Sequence, residues 1–321
     1  RAGRKNLIIN GAMQVAQRAT SATSQTSTAY LALDRWKTEA SGATYNVSQQ
    51  AMSASDLLTT GSANFLRMEE TIGNNNSGLS QKIEASSIRQ FKGKKLTASF
   101  YAKGTNPNGG SFTLSRFFSD GSNSSTAEHT SFSITSSWQR YTITFDYPSE
   151  GAADLALSTA FMAFSFLQPA GDTSTNAWTL DITNVQLELG SVATDFEHRS
   201  YGEELSLCQR YCFVLGNSPS AAHRIATGLS NNSTTVYAMV EHPMIMRSLT
   251  TMTIASMSNM AVSNASVGTG LTGLAVQGVV SSTKATGLTA TTAGGLTAAR
   301  PYFIEGTGAN IPVNLVFDAE L

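Results

Sequence analysis

The chain has 321 residues, 41% hydrophobic and 13% charged, with a net charge of −1. That length suits one large or two ordinary domains, and so even a charge balance, with no basic patch and no aromatic-basic interleaving, argues against a nucleic-acid partner. No apolar run approaches a membrane span and no charged-then-apolar signal opens the sequence, so membrane insertion is not expected either.

Serine and threonine supply roughly a quarter of the residues, far above an ordinary domain. Threonine suits a pleated surface and serine competes with helix hydrogen bonds, so the expectation is strands and turns. The sequence opens at Arg1 rather than methionine, which predicts the later part of a longer or processed polypeptide.

In chain order, Leu96, Ala98 and Phe100 alternate with Thr97, Ser99 and Tyr101 as in a half-buried strand. Phe112 and Leu114 begin another, Phe132 and Ile134 a short one, Tyr141, Ile143 and Phe145 a third clean alternation, and Met162, Phe164 and Phe166 a fourth. Polar turns separate them: GNNNSG at 73–78, NPNGG at 106–110, DGSNSS at 120–125 and AGDTSTN at 170–176. Many short strands between polar turns predict a sandwich or jelly roll. Trp36, Trp138 and Trp178 each lie near a strand start and are expected as core anchors.

The stretch from Trp178 to Leu189 carries apolar residues of one parity at 178, 180 and 182 and of the other at 185, 187 and 189. A β-bulge near Thr183 and Asn184 reconciles the two. Ser200 and Glu203 then make a capping box, Leu205, Cys208, Cys212 and Leu215 recur at helical spacing, and Gly216 is a natural stop. This predicts a helix over about 200–215. Between Ser248 and Ile304 there is no acidic residue, and the basic ones are Lys284 and Arg300. Strands so poor in charge lack the lysines that protect sheet edges, which predicts that sister chains cover them. Val236, Ala238 and Val240 alternate before this stretch, as do Ile311, Val313, Leu315 and Phe317 after it. The fold class expected is all-β: an N-terminal jelly-roll sandwich over 1–198, a linking helix over 199–216 and a smaller C-terminal β domain over 217–321.

No catalytic motif stands out. His129, His198, His223 and His242 show no metal-ligand spacing, and there is no HExxH, CxxC, P-loop or GxSxG. Cys208 and Cys212 are too few for a disulfide framework, and with Leu205 and Leu215 they read as a packed face at a domain or oligomer interface. Asp34, Glu84, Asp154, Asp181 and Glu188 are scattered, and spacing alone places no two of them across a cleft. Tyr45 and Tyr101, with Arg116 amid Phe112, Phe117 and Phe118, read either as sugar contacts or as a rim of tyrosines and an arginine covering core edges.

Several stretches carry a resemblance. NLIINGAMQVAQR at 6–18 and LDRW at 33–36 resemble the opening of tail-fibre proteins of tailed bacteriophages. LSQKIE at 79–84, GKKLTASFYAKG at 93–104 and WQRYTITFDYP at 138–148 are similar to strands of carbohydrate-binding-module-like jelly rolls, and the stretch from Trp178 to Tyr211 looks like the closing strand and following helix of phage fibres. The ending IPVNLVFDAEL resembles the last strand of fibre tips. The resemblance implies a virion protein exposed outside the host cell on the tail, a homotrimer joined to other tail proteins and engaging a host-surface glycan or protein. It implies no cofactor beyond a possible structural calcium, for which Asp181 stands at the aspartate position of the last strand, while the opening strand has Asn10 without a nearby acid. The function expected is host attachment without enzymatic activity. The alternatives are an appendage or adaptor with no receptor contact, and a polysaccharide depolymerase.

Overall fold

The computed structural model describes residues 4–40, 42–72, 77–107, 111–120, 125–147, 159–168, 177–216, 223–264, 268–307 and 314–321. The chain divides into two compact units, one formed by residues 1–204 with Leu321 and the other by residues 205–320.

The first unit is a sandwich of two antiparallel sheets. Its strands are β1 (Ser21–Gln25), β2 (Lys37–Glu39), β3 (Thr44–Ala51), β4 (Asn64–Ile72), β5 (Gly78–Glu84), β6 (Lys95–Thr105), β7 (Phe112–Ser119), β8 (Ser125–Phe132), β9 (Gln139–Asp146), β10 (Phe161–Leu167) and β11 (Thr179–Leu189). One sheet runs β1-β3-β4-β11-β6-β9 and the other β2-β5-β10-β7-β8. Alternation explains the packing: Leu96, Ala98, Phe100 and Ala102 of the first sheet meet Phe112, Leu114, Phe118, Met162, Phe164 and Phe166 of the second in one core with Trp36 and Trp178. Trp138 departs from the expectation. It packs edge-to-face on Phe65 at 5.4 Å, and Phe65 has the opposite parity to Leu66 and Met68, so the pair lies on the outer side of the six-stranded sheet.

The bulge in β11 falls between Thr183 and Gln186, with Asn184 at φ 49°. It lets Leu180, Ile182, Val185 and Leu187 all point inward. The opening segment runs beside it: the Val185 amide donates to the Gly11 carbonyl at 2.9 Å and the Leu7 amide to the Leu187 carbonyl. Gly11 leaves no room for a side chain, since a Cβ there would lie 2.2 Å from the Val185 oxygen. Asn10, at φ 57°, ties the motif together. Its amide nitrogen donates to the carbonyls of Val15 and Asp34, and its side-chain oxygen accepts from the amides of Gln14 and Val15. The Trp36 indole donates to the Asn10 carbonyl at 3.1 Å. NGAM and LDRW are thus two halves of one buried knot.

Two expectations need correction. The strand predicted at Phe132 and Ile134 is the end of β8, which runs through STAEHTSF; it is an edge strand, so its text is polar. The helix predicted to Leu215 is shorter. Helix α1 (Ala54–Thr60) and a single turn, α2 (Ala85–Ile88), precede it, and α3 itself covers Tyr201–Gln209. The Ser200 hydroxyl accepts from the Glu203 amide at 3.3 Å as expected, but the Glu203 carboxylate turns to Arg4 at 2.7 Å.

The second unit contains β12 (Cys212–Leu215), β13 (His223–Ser230), β14 (Thr235–Glu241), β15 (Thr251–Ile254), β16 (Met260–Ser263), β17 (Gly268–Val276), β18 (Ala285–Thr292), β19 (Pro301–Gly306) and β20 (Leu315–Asp318). Strands β13-β14-β18-β17-β16-β19 close into a six-stranded barrel, and β12-β20-β15 form a small sheet. Cys212–Leu215 is a strand because it pairs with Asp318–Leu315, and the aromatic and branched text CFVL suits that pairing. The strand predicted over 311–317 is described from residue 314 onward.

Candidate functional site

The outer face of the five-stranded sheet carries an aromatic pair. Along β7, residues 112, 114, 116 and 118 point into the sandwich, so Thr113, Ser115, Phe117 and Ser119 point out; along β10 the outward set is Phe161, Ala163, Ser165 and Leu167. Register places Phe117 opposite Ala163, one step along the face from Phe161. Their ring centroids are 6.2 Å apart with planes tilted by 35°. On β5, Lys82 lies opposite Ala163, and its ammonium sits 4.2 Å above the centre of the Phe161 ring. This is a cation–π contact with the ring. The neighbouring small residues Ser115, Ala163 and Ser165 are buried beneath, so the half-buried rings are what projects. Glu84 beside Phe161 and the exposed His129 opposite Ser115 give the face a polar rim.

Two aromatic rings on a small-residue floor with polar groups around them suit a ligand with an apolar face and hydroxyl edges, the chemistry of a pyranose. The signal was present in the sequence: Phe117 and Phe161 are bulky residues on the polar parity of their strands.

The residues predicted from sequence as sugar contacts are not brought together. Tyr45 is fully buried, its hydroxyl 2.6 Å from the Thr38 hydroxyl, and burial raises its pKa. Arg116 shares the inward parity of Phe112, Leu114 and Phe118 and is buried in the sandwich. Its guanidinium lies 4.6 Å over the Phe145 ring and donates to the Thr130 hydroxyl at 2.8 Å, with Glu128 at 3.6 Å. Burial lowers its pKa. Neither side chain can reach a surface ligand. Tyr101 is half-buried on the outer face of the other sheet, between Thr183 and Arg140.

Asp181 does not fit the calcium role. Both its oxygens accept from Arg67, each at 2.7 Å in a bidentate pair, and its side chain is 3% exposed. The Arg67 pKa is raised chiefly by that bond. The Asn10 side-chain oxygen is likewise occupied by two amides. Among the described residues no three of His, Cys, Asp and Glu lie close enough to hold a metal. Cys208 and Cys212 are buried, and Leu205 and Leu215 half-buried, but they belong to a helix and a strand rather than to one helical face.

No family model matches the sequence, and no curated protein does. Among solved structures the chain is similar to a CBM4 module, at 22% identity over 39% of this chain and 84% of that one, with a TM-score of 0.28. It is similar to TmCBM61, solved in complex with β-1,4-galactotriose, at 12% identity over 58% of this chain and 100% of that one, with a TM-score of 0.32. It is also similar to the enzymatically active domain of bacteriophage CBA120 tailspike protein 4, at 13% identity and a TM-score of 0.34, over 58% of this chain but 21% of that domain. The similarity to carbohydrate-binding modules and to a phage tailspike domain is a distant one, without a family assignment from sequence.

Proposed function

We propose that this chain is an attachment protein of a tailed-phage particle, a homotrimer on the tail that holds a host-surface glycan on the outer face of the five-stranded sheet. The observation that carries the reading is the outward Phe117–Phe161 pair on its floor of small residues, beside Lys82. Aromatic side chains of this size gain stability by burial, so leaving two of them only half-buried on an outer face costs free energy that a ligand would recover. The likeness of residues 6–18 and 33–36 to tail-fibre openings supplies the particle. The chain acts by binding and not by catalysis, so it should release no reducing ends from host polysaccharide. Binding of the full chain to bacterial cells and to immobilised surface polysaccharides tests the proposal. The double variant Phe117→Ala, Phe161→Ala should stay folded and lose at least about tenfold in affinity, the loss of two stacking contacts. A chain that binds no cell surface would instead be an appendage or adaptor.

A further inference from the structure

Beside the aromatic pair, the outer face of the five-stranded sheet carries a row of serines. Ser80 of β5, Ser165 of β10 and Ser115 of β7 stand opposite one another in register, one step along the strands from Ala163 and Phe117. Their exposures are 1%, 6% and 4%. The Ser80 hydroxyl donates to the Glu39 carboxylate at 2.6 Å. The hydroxyls of Ser115 and Ser165 have no hydrogen-bond partner among the described residues. Hydroxyls set this deep are normally bonded, so each needs a partner from outside the chain. Residues directly opposite across an antiparallel pair have Cβ atoms roughly 5 Å apart, so the two hydroxyls are presented together.

The surroundings suit one sugar ring. Phe117 lies two residues from Ser115, about 7 Å along β7, and walls the pair on the side toward Phe161. Half-buried Thr113 and Leu167 stand one step beyond on the other side. From Phe117 to Thr113 the strand spans about 14 Å, room for one pyranose. On the Ser80 side the charges of Lys37 and Glu39 lie 3.7 Å apart and offset each other, which favours a neutral ligand.

We infer that Ser115 and Ser165 read two neighbouring hydroxyls of a neutral hexopyranose whose apolar face lies on Phe117. A serine hydroxyl both donates and accepts, as a sugar hydroxyl does, so the two pairs satisfy each other. An epimer with one of those hydroxyls turned away leaves a deep serine unpaired, and that is the source of discrimination. This inference rests on the glycan reading above and names the part of the sugar that the face reads.

The test is competition of full-chain binding to immobilised host-surface polysaccharide by methyl glucopyranoside, methyl galactopyranoside and methyl mannopyranoside. The wild type should prefer one of the three by at least about tenfold, and the double variant Ser115→Ala, Ser165→Ala should reduce that preference below about threefold. Alanine removes hydroxyls that bond nothing in the fold, so this variant should melt no lower than the wild type. A wild type that binds polysaccharide but distinguishes none of the three sugars overturns the inference. A serine variant that keeps the full preference overturns it too, and the aromatic reading then stands if Phe117→Ala, Phe161→Ala still weakens binding. A wild type that binds no polysaccharide overturns both.

Discussion

Replacing Arg67 with glutamine leaves the Asp181 carboxylate buried without its bidentate partner. Breaking a buried pair from one side is costly, but Arg67 is 42% exposed, so the expected loss is about 2 kcal/mol rather than the larger value of a fully buried pair. Urea unfolding measures it. Millimolar calcium should not restore the loss, because the guanidinium and not a metal neutralises Asp181. Asp34 and Asp56 act in opposite senses with pH. Burial, outweighing Arg18, raises the Asp34 pKa above its ordinary 3.8. Its contribution to stability is full below that value and is lost as pH rises through the folded-state pKa. A hydrogen bond from Lys103 lowers the Asp56 pKa, so its contribution is present above the ordinary range and is lost as pH falls through the folded-state value. Unfolding midpoints at pH 4 and pH 7 should therefore show Asp34→Asn gaining relative to wild type at the higher pH. Asp56→Asn should lose relative to wild type there. Equal shifts at both pH values would contradict the assignment.

At the scale of elements, the bulge in β11 and the opening segment depend on one another through Gly11. Gly11→Ala puts a methyl 2.2 Å from the Val185 oxygen, so backbone must move, and the expected destabilisation is about 2–3 kcal/mol by thermal or urea unfolding. Strands such as β6, β7 and β10 were legible in the sequence because one face is buried and period-two alternation follows directly. The bulge was legible for the same reason, as a change of parity between Ile182 and Val185. Helix α3 was legible at its Ser200 cap but not at its end. Cys208 and Cys212 fit helical spacing, while the pairing of Cys212–Leu215 with β20, more than a hundred residues on, decides the local structure. Strand β8 was hidden because an edge strand alternates weakly. The inward parity of Arg116 and the outward parity of Phe117 and Phe161 were both readable, but phenylalanine lacks the polar group that marks tyrosine and arginine as sugar contacts. The buried place of Tyr45, by contrast, depends on the Thr38 hydroxyl meeting its own, which no local pattern announces.

For the whole molecule, the sandwich and the barrel each carry their own core, and each has one feature that its stability does not explain. On the sandwich it is the half-buried aromatic pair on the outer face; on the barrel it is the exposed apolar group of Leu229, Tyr237 and Met239. Three linked copies would present three aromatic faces to one cell surface, so weak single contacts would add to strong attachment. The most direct measurement is the binding of the wild-type chain and of the Phe117→Ala, Phe161→Ala variant to immobilised host polysaccharide, with melting curves as the control. The prediction is saturable binding by the wild type and binding at least about tenfold weaker in a variant that still unfolds cooperatively. Undiminished binding by that variant would contradict the assignment of the outer face of the five-stranded sheet as the glycan site.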